Sequence, residues 1–170
     1  MRLQSFEAII AALNGAKVRY LVAGGLAVNA HGYLRYTKDA DLVIELQPEN
    51  VLAAMKALEN LGYRPAIPVK AEEFADPDIR QSWVRDKGMK VFQLFSDQHP
   101  ETPIDIFVEQ PFDFAPEYDR ALRETLVPGV EAAFTSLETL IAMKEEAGRP
   151  RDQDDVEHLR ILLDQRNQEE

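Results

Sequence analysis

Cysteine is absent from all 170 residues, which excludes disulfides, thiolate zinc sites and a cysteine nucleophile together. Histidine is scarce, and His31, His99 and His158 stand far apart with no metal-ligand spacing. No apolar run approaches the roughly 20 residues that a bilayer-crossing helix needs. The first 14 residues read as an amphipathic helix with Glu7 inside it, not as a signal peptide. These absences predict a cytoplasmic protein with no membrane contact. Basic residues are also short: the formal net charge is −11. Residues 1–110 carry 12 basic and 15 acidic side chains, and residues 111–170 carry 7 and 15. Nonspecific binding to a polyanion needs a concentrated basic surface, so a nucleic-acid substrate would have to be held by a local patch.

What is present suits one globular domain, large enough to bury a core without covalent staples. The core spans about residues 1–135, and a helical segment covers about 136–165. Phe6, Ile9, Ile10 and Leu13 form the stripe of a first helix, which Gly15 ends. Val18 to Ala23 is a short apolar strand. Gly24-Gly25 turns the chain into a helix through Ala30, with Gly32 as its stop. Asp39 to Leu46 forms the second strand, and Val51 to Leu61 is helical in period after Pro48. Residues 64–78 hold Pro65, Pro68 and Pro77 and read as loop with one strand at most. Asp76 to Val84 is a short helix capped by the aspartate before Pro77. Lys90 to Phe95 and Ile104 to Glu109 are partner strands, and Val130 to Phe134 is another. A helix starts at Ser136 and stops at Gly148 and Pro150; Asp152 to Asp164 is the last, with a frayed polar tail from Gln165. The pattern is α/β or α+β: a mixed sheet with acids on one face and helices on the other.

One stretch carries the chemistry, VAGGLAVNAHGYLRYTKDADLVIEL. Asp39 and Asp41 project to one side of their strand, since side chains alternate with period two. Asp105 sits in a second apolar run, TPIDIFVEQ, where an aspartate is costly to bury unless paired or liganded. Magnesium prefers oxygen ligands and is usually held by one or two carboxylates plus substrate phosphates. Two such ions about 4 Å apart serve both the attacking and the leaving oxygen. Asp39, Asp41 and Asp105 are the minimum ligand set for two Mg2+ (or Mn2+) ions. Gly24 and Gly25 let backbone approach a phosphate ahead of a helix N-terminus. Arg35, Thr37 and Lys38 add polar contacts from the loop before the acids. An EF-hand is excluded, because Ile44 stands where that loop needs glycine and Val43 where it needs an oxygen ligand.

A glycine pair followed after 13 residues by Asp39-x-Asp41, with the prefix Arg35-x-Thr37, resembles the nucleotidyltransferase superfamily of DNA polymerase β. It is more closely similar to the minimal bacterial nucleotidyltransferases, including the AbiEii-type toxin group. LIAMKEEAGRPRDQDDVEHL resembles that group's C-terminal helical segment, so together the similar segments cover most of the chain. The resemblance implies an α+β polymerase β-like fold with C-terminal helices. It implies transfer of a nucleoside monophosphate from an NTP to an acceptor hydroxyl on tRNA, a protein or a small molecule, releasing pyrophosphate. Lys144 becomes a phosphate contact, and Arg151 with Asp152 stabilises the helical segment. Gly25 departs from the serine that many members carry, which removes a hydroxyl contact to phosphate.

Plainer roles stand beside these. Lys144 also reads as a surface lysine, Arg35 as an ion-pair partner of the acids, His31 as a helix-end residue and Trp83 as core. The acidic C-terminal segment reads as a solvated helical face, with a protein partner or self-association as the alternative. The competing functions are a non-catalytic nucleotide- or partner-binding protein, such as a toxin–antitoxin component, and a metal-dependent phosphohydrolase.

Overall fold

A computed structural model describes residues 1–169. Its strands are β1 (Tyr20–Val22), β2 (Ala40–Ile44), β3 (Tyr63–Pro65), β4 (Val91–Ser96), β5 (Ile104–Phe107), β6 (Leu122–Val127) and β7 (Val130–Phe134). They form one mixed sheet in the order β3-β4-β5-β2-β1-β7-β6. β2 runs parallel to β5 and β7 parallel to β1, while the other neighbours are antiparallel. The helices are α1 (Leu3–Gly15), α2 (Gly24–Ala30), α3 (Pro48–Asn60), α4 (Ala71–Ala75), α5 (Pro77–Lys87), α6 (Phe114–Asp119), α7 (Leu137–Ala147) and α8 (Pro150–Glu169). Among the described residues no helix is long and apolar enough to cross a membrane.

Alternation along the strands sorts the sheet into two faces. Tyr20, Val22, Leu42, Ile44, Ile104 and Ile106 face the main core, where the α1 stripe packs with Val51 and Leu58 of α3. Leu21, Val43 and Ala133 lie in a second, smaller cluster with Phe114 of α6. The face that carries the acids is therefore not bare. α6 closes part of it with Phe114 and Tyr118, and the Arg19 guanidinium lies 4.8 Å over the Tyr118 ring. Asp41 and Asp105 occupy what remains open.

The predicted caps hold. Asp76 accepts from the amides of Asp78 and Ile79, and Ser136 accepts from the amide of Thr139. Trp83 is core, stacked with Phe74 and Phe92. Three elements lie outside the sequence-based expectation: α4, α6 and β6. α4 and α6 have five and six residues, too few for a helical period to show. β6 pairs with β7 across a turn in which Gly129 has φ of +82°. The tail expected to fray is instead helical through Glu169, and Arg166 ties it to Glu138 on α7.

Candidate active site

The parallel pairing of β2 with β5 puts Asp41 directly beside Asp105, and β4 puts Gln93 beside Asp105. Side chains at paired positions share a face, so the row Gln93–Asp105–Asp41 crosses three strands. The amide of Ala23 donates to the Asp41 carbonyl at 2.9 Å, which brings the start of α2 against the end of that row. Gly24 follows at φ +62°, and a Cβ there would lie 1.9 Å from Asp41 Oδ2. Only glycine fits, on backbone and on space alike. Asp39 sits at a bend just before β2, not within the strand.

The three acids act on one another's electrostatics through Asp41 and Asp105. Asp41 is pushed up to about 6, first by burial, then by the negative charges of Asp105 and Asp39; Lys144 and Arg149 pull the other way. Burial also raises Asp105, with Asp39 adding to the effect, while the Gln93 Nε2 donates to Asp105 Oδ1 at 2.9 Å and opposes it. Among the described residues no three carboxylates or imidazoles stand close enough to enclose a metal as placed. The donor set nevertheless suits a divalent cation completed by phosphate oxygens, because burial and the charges of Asp105 and Asp39 raise Asp41 even with Lys144 and Arg149 opposing them.

Arg35 and Thr37 are brought to Gly25. A Cβ on Gly25 would meet Thr37 Oγ1 at 2.7 Å, Thr37 Cβ at 2.8 Å and Arg35 Nη2 at 3.3 Å. The threonine fills the space that a serine at this position would need. Gly25→Ser is therefore expected to destabilise by about 1–3 kcal/mol through overpacking. Adding Thr37→Gly should recover most of that loss. Thermal melts of the single and double variants measure it, and additive losses would contradict the shared space.

Lys144 stands in a different setting from the surface. It is buried and paired with Asp155 at 2.6 Å and Asp152 at 3.2 Å, both on α8. Asp155 also accepts from Arg35 Nη1, and Asp152 from Arg149 Nε at 2.7 Å. The partner of Asp152 is thus Arg149, while Arg151 is exposed. The order Arg35–Asp155–Lys144–Asp152–Arg149 alternates three cations with two anions. One net positive charge remains, close enough to Asp41 to lower its pKa. His31 ends α2 and its Nε2 lies 2.8 Å from the Thr135 carbonyl, a structural contact.

A match to the family model "Nucleotidyltransferase of unknown function (DUF6036)" extends over residues 2–165. The chain belongs to this family. It is thus a nucleotidyltransferase by family, as the resemblance of its motifs implied. Comparison with curated proteins gives no match. Among solved structures it is similar to ANT(2")-Ia in complex with adenylyl-2"-tobramycin, at 14% identity and TM-score 0.56, covering 94% of this chain and 93% of that one. The lincosamide antibiotic adenylyltransferase LnuA, lincomycin-bound, gives 14% identity and TM-score 0.56 over 91% and 93%. An antigenic nucleotidyltransferase-like protein from Paracoccidioides brasiliensis gives 17% and 0.53 over 94% and 74%. At these identities the likeness is one of fold, and it agrees with the α+β nucleotidyltransferase architecture expected from sequence.

Gln93, Arg149 and Asp155 were not singled out from sequence. The signal for Gln93 was available, since it alternates on β4 and faces the strand that carries Asp105. Arg149 also had a local signal, an acid three residues further on at the start of α8, whereas Asp155 had none, because its partners Arg35 and Lys144 lie on other elements.

Proposed function

We propose that this protein transfers a nucleoside monophosphate from an NTP to an acceptor hydroxyl in a metal-dependent reaction. The observation that carries this reading is the acid group itself: Asp41 and Asp105 adjacent across two strands, Asp39 near both, and Gly24 against Asp41. Asp39, Asp41 and Asp105 are the residues that would hold Mg2+ or Mn2+. A bound divalent ion supplies neutralisation of phosphate charge and activation of the attacking oxygen. Gly24 lets the backbone at the start of α2 pass directly against the Asp41 carboxylate, and the Arg35–Lys144–Arg149 array supplies positive charge for a triphosphate. Asp105, with its raised pKa, is suited to take the acceptor proton.

Two structural neighbours, ANT(2")-Ia seen with adenylyl-2"-tobramycin and the lincosamide antibiotic adenylyltransferase LnuA seen with lincomycin, favour a small-molecule acceptor. The acidity of the chain favours the same class over a long nucleic acid.

A second reading rests on one observation. Lys144 and Arg35, the cations expected at phosphate, already have carboxylate partners on α8. A member of the fold that binds without turnover, such as a toxin–antitoxin component, fits that arrangement. Thermal shift separates the two. With Mg2+ and an NTP at a hundred times its Kd, binding should contribute about 2.7 kcal/mol of stability. Neither Mg2+ nor NTP alone should match it. Transfer of α-label from the same NTP to an acceptor then establishes turnover, and a shift without transfer supports the second reading.

A further inference from the structure

Beside the acids lies an open cleft of about 670 Å³, lined by Tyr36, Lys38, Asp39, Gln93, Phe95 and Glu101 among others. It is continuous with the acid row at two points. Asp39 is a wall of it, and Gln93, which donates to Asp105, is another.

The segment that precedes β2 explains how the cleft is built. Along residues 33–38 burial alternates: Tyr33, Arg35 and Thr37 are partly buried, whereas Leu34, Tyr36 and Lys38 are exposed. The inner set is fixed. Tyr33 donates to Asp154 at 2.6 Å and stacks on His158 at 3.9 Å, Arg35 pairs with Asp155, and Thr37 lies against Gly25. The outer set faces away from these anchors. Tyr36, 79% exposed, is therefore presented to the cleft by a segment tied down on its other side, and Phe95, 42% exposed, joins it from β4. Exposed aromatic rings on a fixed frame beside catalytic acids form a platform for an apolar face.

Charge narrows the ligand further. Glu101 is already paired with Arg2 at 2.7 Å, and Lys38 offsets Asp39. The lining holds neither the excess of cations that a polynucleotide needs nor the excess of acids that a polycation needs. Its volume is that of a site for a drug-sized molecule, roughly 300–1,000 Å³.

We propose that this cleft is the acceptor site, and that the acceptor is a compact, nearly uncharged alcohol with an apolar ring face. This rests on the transferase reading above. An acceptor hydroxyl oxygen forms a bond to the α-phosphorus, and the α–β phosphoanhydride bond breaks. Pyrophosphate leaves with the electron pair, and the hydroxyl proton passes to a carboxylate of the acid group.

The test offers phenyl β-glucoside, methyl β-glucoside and total RNA with α-labelled NTPs and Mg2+. Phenyl glucoside should be labelled at least about tenfold more efficiently than methyl glucoside, and RNA should stay unlabelled. Tyr36→Ala and Phe95→Ala should each raise the phenyl glucoside KM by about tenfold while leaving the NTP-dependent thermal shift as in the wild type. Label on RNA, equal use of the two glucosides, or an unchanged KM in both variants overturns the acceptor assignment alone. Loss of the NTP-dependent shift in the wild-type protein strikes at the transferase reading itself and takes the acceptor assignment with it.

Discussion

Asp41→Asn is expected to abolish nucleotidyl transfer and, in metal-free buffer at pH 7, to make the protein more stable. The activity loss follows from removing a charge that the phosphates' counter-ion needs. That charge stabilisation amounts to several kcal/mol, or roughly a thousandfold in rate. The stability gain follows from linkage. Asp41 has a folded-state pKa of about 6 against an ordinary 3.8, chiefly through burial and then through Asp105 and Asp39. A carboxyl raised in this way favours folding fully below about pH 4. That contribution is lost as pH rises through about 6, because the folded state then holds a buried charge that the unfolded chain solvates. The asparagine has no such charge to lose. Its advantage should be on the order of 1–3 kcal/mol at pH 7, should shrink toward pH 4, and should narrow again when Mg2+ is added to the wild type. Melts at several pH values with and without Mg2+ read this directly. A variant less stable than wild type at pH 7 without metal would refute the picture of mutually repelling acids.

Lys144→Met is expected to lower stability by about 3 kcal/mol, alongside any loss of nucleotide affinity. The lysine is buried between Asp152 and Asp155, each 1% exposed, and both anions belong to α8. Breaking a buried ion pair from one side costs about 3–5 kcal/mol, because the remaining charge stays desolvated. Arg35 keeps its contact to Asp155 and Arg149 its contacts to Asp152, which places the cost at the lower end. For a chain of this length, that corresponds to a fall in Tm of roughly 6–12 °C. A lysine that served only as a phosphate contact would leave Tm of the nucleotide-free protein unchanged. An unaltered melt would therefore sink the structural role. Asp152→Asn combined with Lys144→Met should recover part of the loss, since it removes a stranded charge together with its partner.

Both predictions concern residues that were legible as types but not as settings. The acids stood out because carboxylates inside apolar strands are expensive, and Gly24-Gly25 because two glycines mark a close approach of backbone. Local rules also located α2, β2, β5 and the caps at Asp76 and Ser136, since each depends on residues within a few positions of one another. α4 and α6 escaped because five or six residues cannot display a period. The α8 tail was read as frayed because its polar composition says nothing of the contact between Arg166 and Glu138.

By itself the sequence determined the chemistry available to this protein: three aspartates, a glycine pair, no thiol and no concentration of basic charge. It also determined the family-level architecture, since strand and helix periods and the Gly24–Asp41 spacing are properties of short stretches. The tertiary structure decided the rest, because pairing across β2 and β5 sets which acid touches which, and that register is invisible to a local pattern. It placed Thr37 in the space a serine would fill at position 25, and turned Lys144 from a surface cation into the centre of a buried ion network. It also set Tyr36 and Phe95, 59 positions apart in the chain, on one cleft beside Asp39. Burial and long-range contact fix the pKa and partner of a charged group, and both exist only once the chain has folded.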